Sequence, residues 1–140
     1  MVLMPRLVLD AWAIMAWLKG QQPAAERVRL LLEAADRRER ELAMNIVNMA
    51  EVFYLAVKAR DLAYGERVIE NLRPRIAAVS ASDELVMRAA KLKARHPISY
   101  ADAFAAATAI SRRSPLVTGD PELRTMAEHE KALQLEWIAG

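Results

Sequence analysis

The chain predicts an α/β fold of three layers, α/β/α, with a central, mainly parallel sheet of four or five strands. Three observations carry that prediction. Short apolar runs alternate with longer segments of helical periodicity along the whole length, which is the pattern of strand–helix–strand units that pair in parallel. The first such run, Leu7-Val8-Leu9, is apolar at consecutive positions, as a strand covered on both faces must be. A length of 140 residues, 54% hydrophobic and 27% charged, suffices for one domain with a real core, so positions 1–140 read as a single domain.

Arg6 to Asp10 reads as the first strand, and Ala11 to Leu18 as a helix apolar almost all round. Gly20 and Pro23 punctuate a turn. From Ala24 to Arg38 the pattern is amphipathic, with Val28, Leu31, Leu32 and Ala35 sharing a face at helical spacing. Glu41 to Met44 is a second strand, and Asn45 can cap the helix that follows to about Ala59. Tyr64 to Leu72 is another helix, stopped near Pro74. Arg75 to Val79 is a third strand. Ser82 or Asp83 can cap a helix running to Arg95, with Leu85, Ala89 and Leu92 as its inner stripe. His96 precedes Pro97 and is biased away from helix. The Ala-rich segment Ser99 to Ser111 is a helix suited to close packing on a sheet. Leu116 to Thr118 is a fourth strand, Asp120 to Glu128 a short helix, and Leu133 to Ile138 a last strand.

Composition narrows the function classes. The chain has no cysteine, so neither a disulfide framework nor a thiolate metal site is possible, which suits a reducing cytoplasm. The apolar stretch Met1 to Leu9 is too short for a signal sequence and runs directly into the fold. No run approaches the ~18 apolar residues of a membrane span. A net charge of +2 decides nothing about nucleic acid. The basic runs Arg37-Arg38-Glu39-Arg40 and Arg112-Arg113 are available for phosphate contacts, but each alone reads first as a solvated helix end. Only four glycines are present, with no P-loop and no dinucleotide turn among them.

Four acids stand at strand ends or near helix starts: Asp10, Glu51, Asp102 and Asp120. In an open α/β sheet, sites form outside the carboxyl ends of the strands, so acids far apart in sequence can meet in one cleft. Two like charges ~4 Å apart repel by roughly 4 kcal/mol at an effective dielectric of ~20. Such a cluster takes up protons or binds a hard divalent cation. Three of the four also have a structural role open to them. Asp10 can cap the next helix, Asp102 sits three residues after Ser99 as in a capping box, and Asp120-Pro121 is a helix start. Glu51 lies inside an apolar helix, where a charge is seldom buried without a partner. Neither His96 nor His129 has a second histidine at zinc-ligand spacing, and an all-oxygen donor set selects Mg2+ or Mn2+ over zinc.

The order of these motifs resembles a PIN-domain protein, most similar to the VapC toxins of toxin–antitoxin pairs. The resemblance rests on the strand ending in Asp10, on Asn45 to Val52 with Glu51, on Leu92 to Ala103 with Asp102, and on Leu116 to Leu123 with Asp120. It covers about Arg6 to Ile138. It implies a compact α/β/α sandwich and a metal-dependent endoribonuclease site with Mg2+ or Mn2+. It assigns Asp10, Glu51, Asp102 and Asp120 to the catalytic, metal-binding cluster, with Thr118 and Asn48 as polar support. It also implies a homodimer, an RNA substrate and a small cognate antitoxin that blocks the cleft. The chain departs from the pattern at Trp12, where such proteins usually carry a small polar residue. The indole can narrow the cleft, pack away into the core, or stack on a base; packing away is the simplest expectation.

Two other readings compete. A phosphatase of the haloacid-dehalogenase type needs Asp-x-Asp after the first strand, and position 12 is Trp; a receiver domain needs an early acidic pair that is missing. A PIN scaffold that binds RNA or a protein without turnover stays open because of Trp12.

Overall fold

The computed structural model describes residues 5–140; positions 1–4, the start of the apolar Met1–Leu9 stretch, lie outside the described residues. Five strands form one sheet: β1 (Arg6–Leu9), β2 (Glu41–Asn45), β3 (Ile76–Val79), β4 (Leu116–Thr118) and β5 (Leu135–Trp137). Their spatial order is β3-β2-β1-β4-β5, and every neighbouring pair is parallel. The helices are α1 (Ala11–Leu18), α2 (Ala24–Asp36), α3 (Ile46–Ala59), α4 (Leu62–Leu72), α5 (Asp83–Arg95), α6 (Tyr100–Ser111) and α7 (Pro121–Ala127).

The three layers follow from the alternation of side chains along each strand. On one sheet face Leu7, Leu9, Leu42, Met44, Ile76 and Val117 pack against α1, α2, α3 and α4. On the other, Val8, Ala43 and Leu116 pack against α5, α6 and α7. Both faces are covered, so consecutive strand residues are apolar. Each fully buried Leu or Ile contributes roughly 1.5–3 kcal/mol. The second face carries small residues, Ala103, Ala105, Ala106, Ala107 and Ala109 of α6, all buried. They let α6 approach the sheet closely.

Side-chain caps set the helix starts. Asp10, Asn45, Asp61, Ser82, Ser99 and Asp120 each accept a backbone N–H from the first turn of the helix they precede. Asn45, Ser82 and Ser99 cap where their spacing predicts. The fourth helix begins at Leu62 rather than Tyr64, because Asp61 accepts the Tyr64 N–H at 2.8 Å. Asp10 falls outside β1 because it already serves as the cap of α1. β5 is shorter than the apolar stretch Leu133 to Ile138: Leu133 and Ile138 are buried but lie outside the ladder.

Chain direction positions the site. From β1 the chain builds outward through β2 to β3, then returns to the other side of β1 for β4 and β5. The strand order therefore reverses between β1 and β4, and a crevice opens there beyond the carboxyl ends of the strands. Asp10 follows β1 and Gly119-Asp120 follow β4, so the topology delivers them to that crevice. Among the described residues no helix is long and apolar enough to cross a membrane.

Candidate active site

Asp10 is the deepest of the acids, 1% exposed. Its Oδ1 accepts the Ala13 N–H at 2.9 Å, and its Oδ2 accepts a short hydrogen bond from Thr118 Oγ1. Thr118 Oγ1 in turn accepts the Asp120 N–H at 3.0 Å. One buried hydroxyl thus ties the end of β1 to the end of β4. Burial raises the Asp10 carboxyl to about 7, and the charges of Asp102 and Asp120 push the same way. The hydrogen bonds from Thr118 and Ala13 oppose that rise.

Asp102 lies in the first turn of α6, where its N–H donates to Ser99 Oγ at 3.0 Å. Its carboxyl is likewise raised to about 7, first by burial and then by the charge of Asp120, with Glu51 and Glu122 adding smaller contributions and Ser99 opposing. Glu51 projects from α3 and is partly buried. Burial raises its pKa, and Asp120 adds to the rise. Asp120 caps α7 through Oδ1, which accepts the Glu122 N–H at 2.9 Å.

Asp102, Asp120 and Glu122 each offer a carboxylate oxygen within 4.8 Å of the other two. Asp10 and Glu51 stand outside this tight group but are coupled to it by charge. Glu122 is missed by the sequence reading, which treats Pro121-Glu122 only as the opening of a helix. Its signal is its place two residues after Asp120, which returns it toward the same edge within one turn. Beside Glu122, a cavity of about 650 Å³ extends past Pro97, Ile98, Met126 and His129. His96 Nε2 lies 2.8 Å from Glu130 Oε1, and Arg95 donates to the same oxygen at 2.7 Å. That pairing occupies His96 away from the acids.

Asn48 of α3 is buried, and its Nδ2 donates to the Ala101 carbonyl at 2.9 Å, beside Asp102. Its Oδ1 is buried without a hydrogen-bond partner. An orphaned acceptor next to crowded carboxylates calls for a cation or a proton donor. The donors are oxygen throughout, the set that suits a hard divalent cation. The residues present therefore fit such an ion.

Trp12, the second residue of α1, packs against the core beneath that helix. Its six-membered ring also lies over Gly119, where a Cβ would overlap three of the ring atoms.

A PIN domain model matches residues 7–129. The chain belongs to the PIN-domain family. Solved structures agree on the fold of this PIN protein. VapBC2 from Rickettsia felis, bound to a DNA fragment of its promoter, superposes with a TM-score of 0.70 at 17% identity, over 96% of this chain and 99% of that one. VapBC-1 from nontypeable Haemophilus influenzae gives 0.68 at 24% identity, over 94% and 97%. VapC20 from Mycobacterium tuberculosis, a toxin that cleaves the Sarcin-Ricin loop, gives 0.69 at 10% identity, over 85% and 93%. No curated protein sequence matches. The PIN fold places β1 at the centre of the sheet, and its carboxyl edge is where the acids gather.

Proposed function

We propose that the protein is a metal-dependent endoribonuclease, hydrolysing RNA phosphodiester bonds as the toxin of a VapBC-type toxin–antitoxin pair. The observation that carries this reading is the meeting of Asp102, Asp120 and Glu122 within 4.8 Å, with Asp10 and Glu51 coupled to them, at the crevice of a PIN fold. A bound Mg2+ or Mn2+ would supply charge stabilisation at the phosphate oxygens and a lowered pKa for water.

The chain's own residues do the rest. Asp102, Asp120 and Glu122 hold the cation. Asp10, fixed by Thr118 and the α1 backbone, adds negative charge beneath it and keeps the two strand ends in register. Glu51, its proton affinity raised by burial and by the charge of Asp120, is suited to orient and deprotonate water. His129 and the cavity past Glu122 leave room for the RNA beyond the scissile bond.

The VapBC structures contain a toxin with its antitoxin, and this supports a small antitoxin partner here. An apolar groove of about 410 Å³ between α3 and α4, lined by Ile46, Met49, Phe53 and Ile69, supports that partner as well. A homodimer and a cytoplasmic location complete the reading.

One observation favours the alternative of a PIN scaffold without turnover: the bulky Trp12, two residues after Asp10, lies against Gly119, the neighbour of Asp120. The purified protein, incubated with structured RNA in Mg2+ or Mn2+ and in EDTA, separates the two. Cleavage that EDTA stops is the expected result. RNA binding without cleavage in either ion would establish the scaffold.

A further inference from the structure

We infer that the cavity beside Glu122 seats one unpaired nucleotide of the RNA next to the cut, its base against Ile98 and Met126 and its phosphate on Arg95. The inference deepens the ribonuclease reading and rests on it for the identity of the polymer.

Room and position come first. The cavity measures about 650 Å³, within the range of pockets that enclose a small organic ligand. It lies between the end of α5, the turn 96–98 and one side of α7. Glu122 lines it, and the same residue offers a carboxylate oxygen to the group made with Asp102 and Asp120. An RNA strand with a phosphate at those acids therefore has the cavity beside it.

The lining decides the occupant. Ile98 and Met126 are buried, 4% and 2% exposed, and they form apolar wall suited to the flat face of a base. Arg95 and His129 stand exposed at the margin. Among the described residues that line the cavity, Glu122 is the one acid. Apolar wall beside a cationic margin fits a base and its phosphate. The basic surface also continues along α5. Lys91 and Arg88, one and two turns before Arg95, line an adjoining cavity of about 180 Å³ that shares Arg95. Further phosphates of the strand can follow that row without any reading of sequence.

The walls are fixed before a ligand arrives. Glu130 Oε1 accepts from Arg95 Nε at 3.1 Å and Nη2 at 2.7 Å. It also lies 2.8 Å from His96 Nε2. A guanidinium carries more N–H donors than this one oxygen takes, so Arg95 is held in place with donors left for a phosphate. Lys93 Nζ donates to the Ile98 carbonyl at 2.9 Å, and the Ile98 N–H donates to the His96 carbonyl at 2.9 Å. A base enters such a pocket only when it is out of its stack, so the nucleotide beside the cut belongs to a single-stranded loop or end.

Filling the cavity and titrating it test the inference together. Thr125 is exposed at the cavity, so Thr125→Trp should fill it without disturbing the core. In cleavage assays on single-stranded RNA, that variant should raise KM at least about tenfold, with kcat changed less. Arg95→Gln should raise KM by about tenfold. In EDTA, AMP or UMP added to the wild type should shift the NMR amide signals of Ile98, Met126 and His129. Ribose 5-phosphate, which lacks the base, should shift them far less, and Thr125→Trp should suppress the nucleotide shifts. Should Thr125→Trp fail to fold, Arg95→Gln and the comparison with ribose 5-phosphate still decide. An unchanged KM in folded Thr125→Trp, or equal shifts with ribose 5-phosphate and AMP, would overturn the nucleotide seat and leave the nuclease reading standing. Nucleotide shifts at these signals in a protein that cleaves no RNA would uphold the seat and remove the nuclease reading. Neither shifts nor cleavage would remove both.

Discussion

Thr118 donates its hydroxyl proton to Oδ2 of Asp10 across the seam between β4 and β1, and Thr118 Oγ1 itself accepts the Asp120 N–H at 3.0 Å. All three groups lie at the point where the strand order reverses. One side chain from β4 therefore fixes both the deepest acid and the turn that carries the next one.

Thr118→Val keeps the shape and removes both hydrogen bonds. It leaves the Asp10 carboxyl and the Asp120 N–H without their partner, which should cost about 1–3 kcal/mol in urea unfolding. The Thr118 bond also lowers the Asp10 pKa. Its loss should move the pH dependence of metal binding toward higher pH, read by titration at several pH values.

Asp10 and Asp102 give the metal-free protein an inverted acid response. Folded, their carboxyls titrate at about 7; the unperturbed value is 3.8. Between these values the folded state holds more protons than the unfolded state, so stability falls as pH rises. Their contribution is fully present below about pH 4 and lost above about pH 7. In EDTA, the urea midpoint should be lower at about pH 8 than at about pH 5. Adding Mn2+ should raise the midpoint far more at the higher pH, where the carboxylates are free to bind it.

Asp102→Asn removes a partly buried charge that the other acids repel. The metal-free variant should be at least as stable as the wild type by thermal unfolding, while RNA cleavage falls by a hundredfold or more, roughly the loss when one charge-stabilising group is removed. A variant that unfolds easily would mean that Asp102 is structural.

Asn45 joins two layers. Its Oδ1 caps α3 at Val47 N, 2.8 Å away, and its Nδ2 donates to Thr108 Oγ1 on α6 at 3.1 Å. Asn45→Ala removes the cap and leaves the buried Thr108 hydroxyl with only its bond to the Phe104 carbonyl. A loss of about 1–3 kcal/mol is expected in denaturant unfolding.

Gly65 tests the contact between α3 and α4. A Cβ there would lie 2.5 Å from Val57 Cγ2 and 3.2 Å from the Phe53 carbonyl oxygen. Gly65→Ala gains helix propensity of up to about 1 kcal/mol. It should nonetheless lower stability by about 1–3 kcal/mol, because the helices must part.

Much of this was legible from the residues. The strands announced themselves as apolar runs between capping residues, and the inner stripe Leu85, Ala89 and Leu92 is buried as its spacing requires. The acids were visible through their places at strand ends and helix starts. Distance in space was not. Spacing could not tell that Asp102, Asp120 and Glu122 form the tight group while the buried Asp10 stands outside it, because that depends on how far α6 and α7 reach past the sheet edge. Glu122 was hidden by its fitness as a helix-start residue. The seat of Trp12 on Gly119 was hidden too, since a missing side chain reveals nothing until the neighbour that fills its space is known. Asp61 went unread as a cap because the exposed Leu62 behind it blurs the helical pattern.

The central claim is that these acids make one cation site, and a calorimetric titration with Mn2+ tests it most directly. The wild type should bind Mn2+ with an affinity that rises between about pH 5 and about pH 8 as the raised carboxyls ionise. Asp102→Asn and Asp120→Asn should each bind at least about tenfold more weakly, as expected for lost ligands. Wild-type affinity retained in both variants, or no Mn2+ binding at about pH 8, would contradict the account.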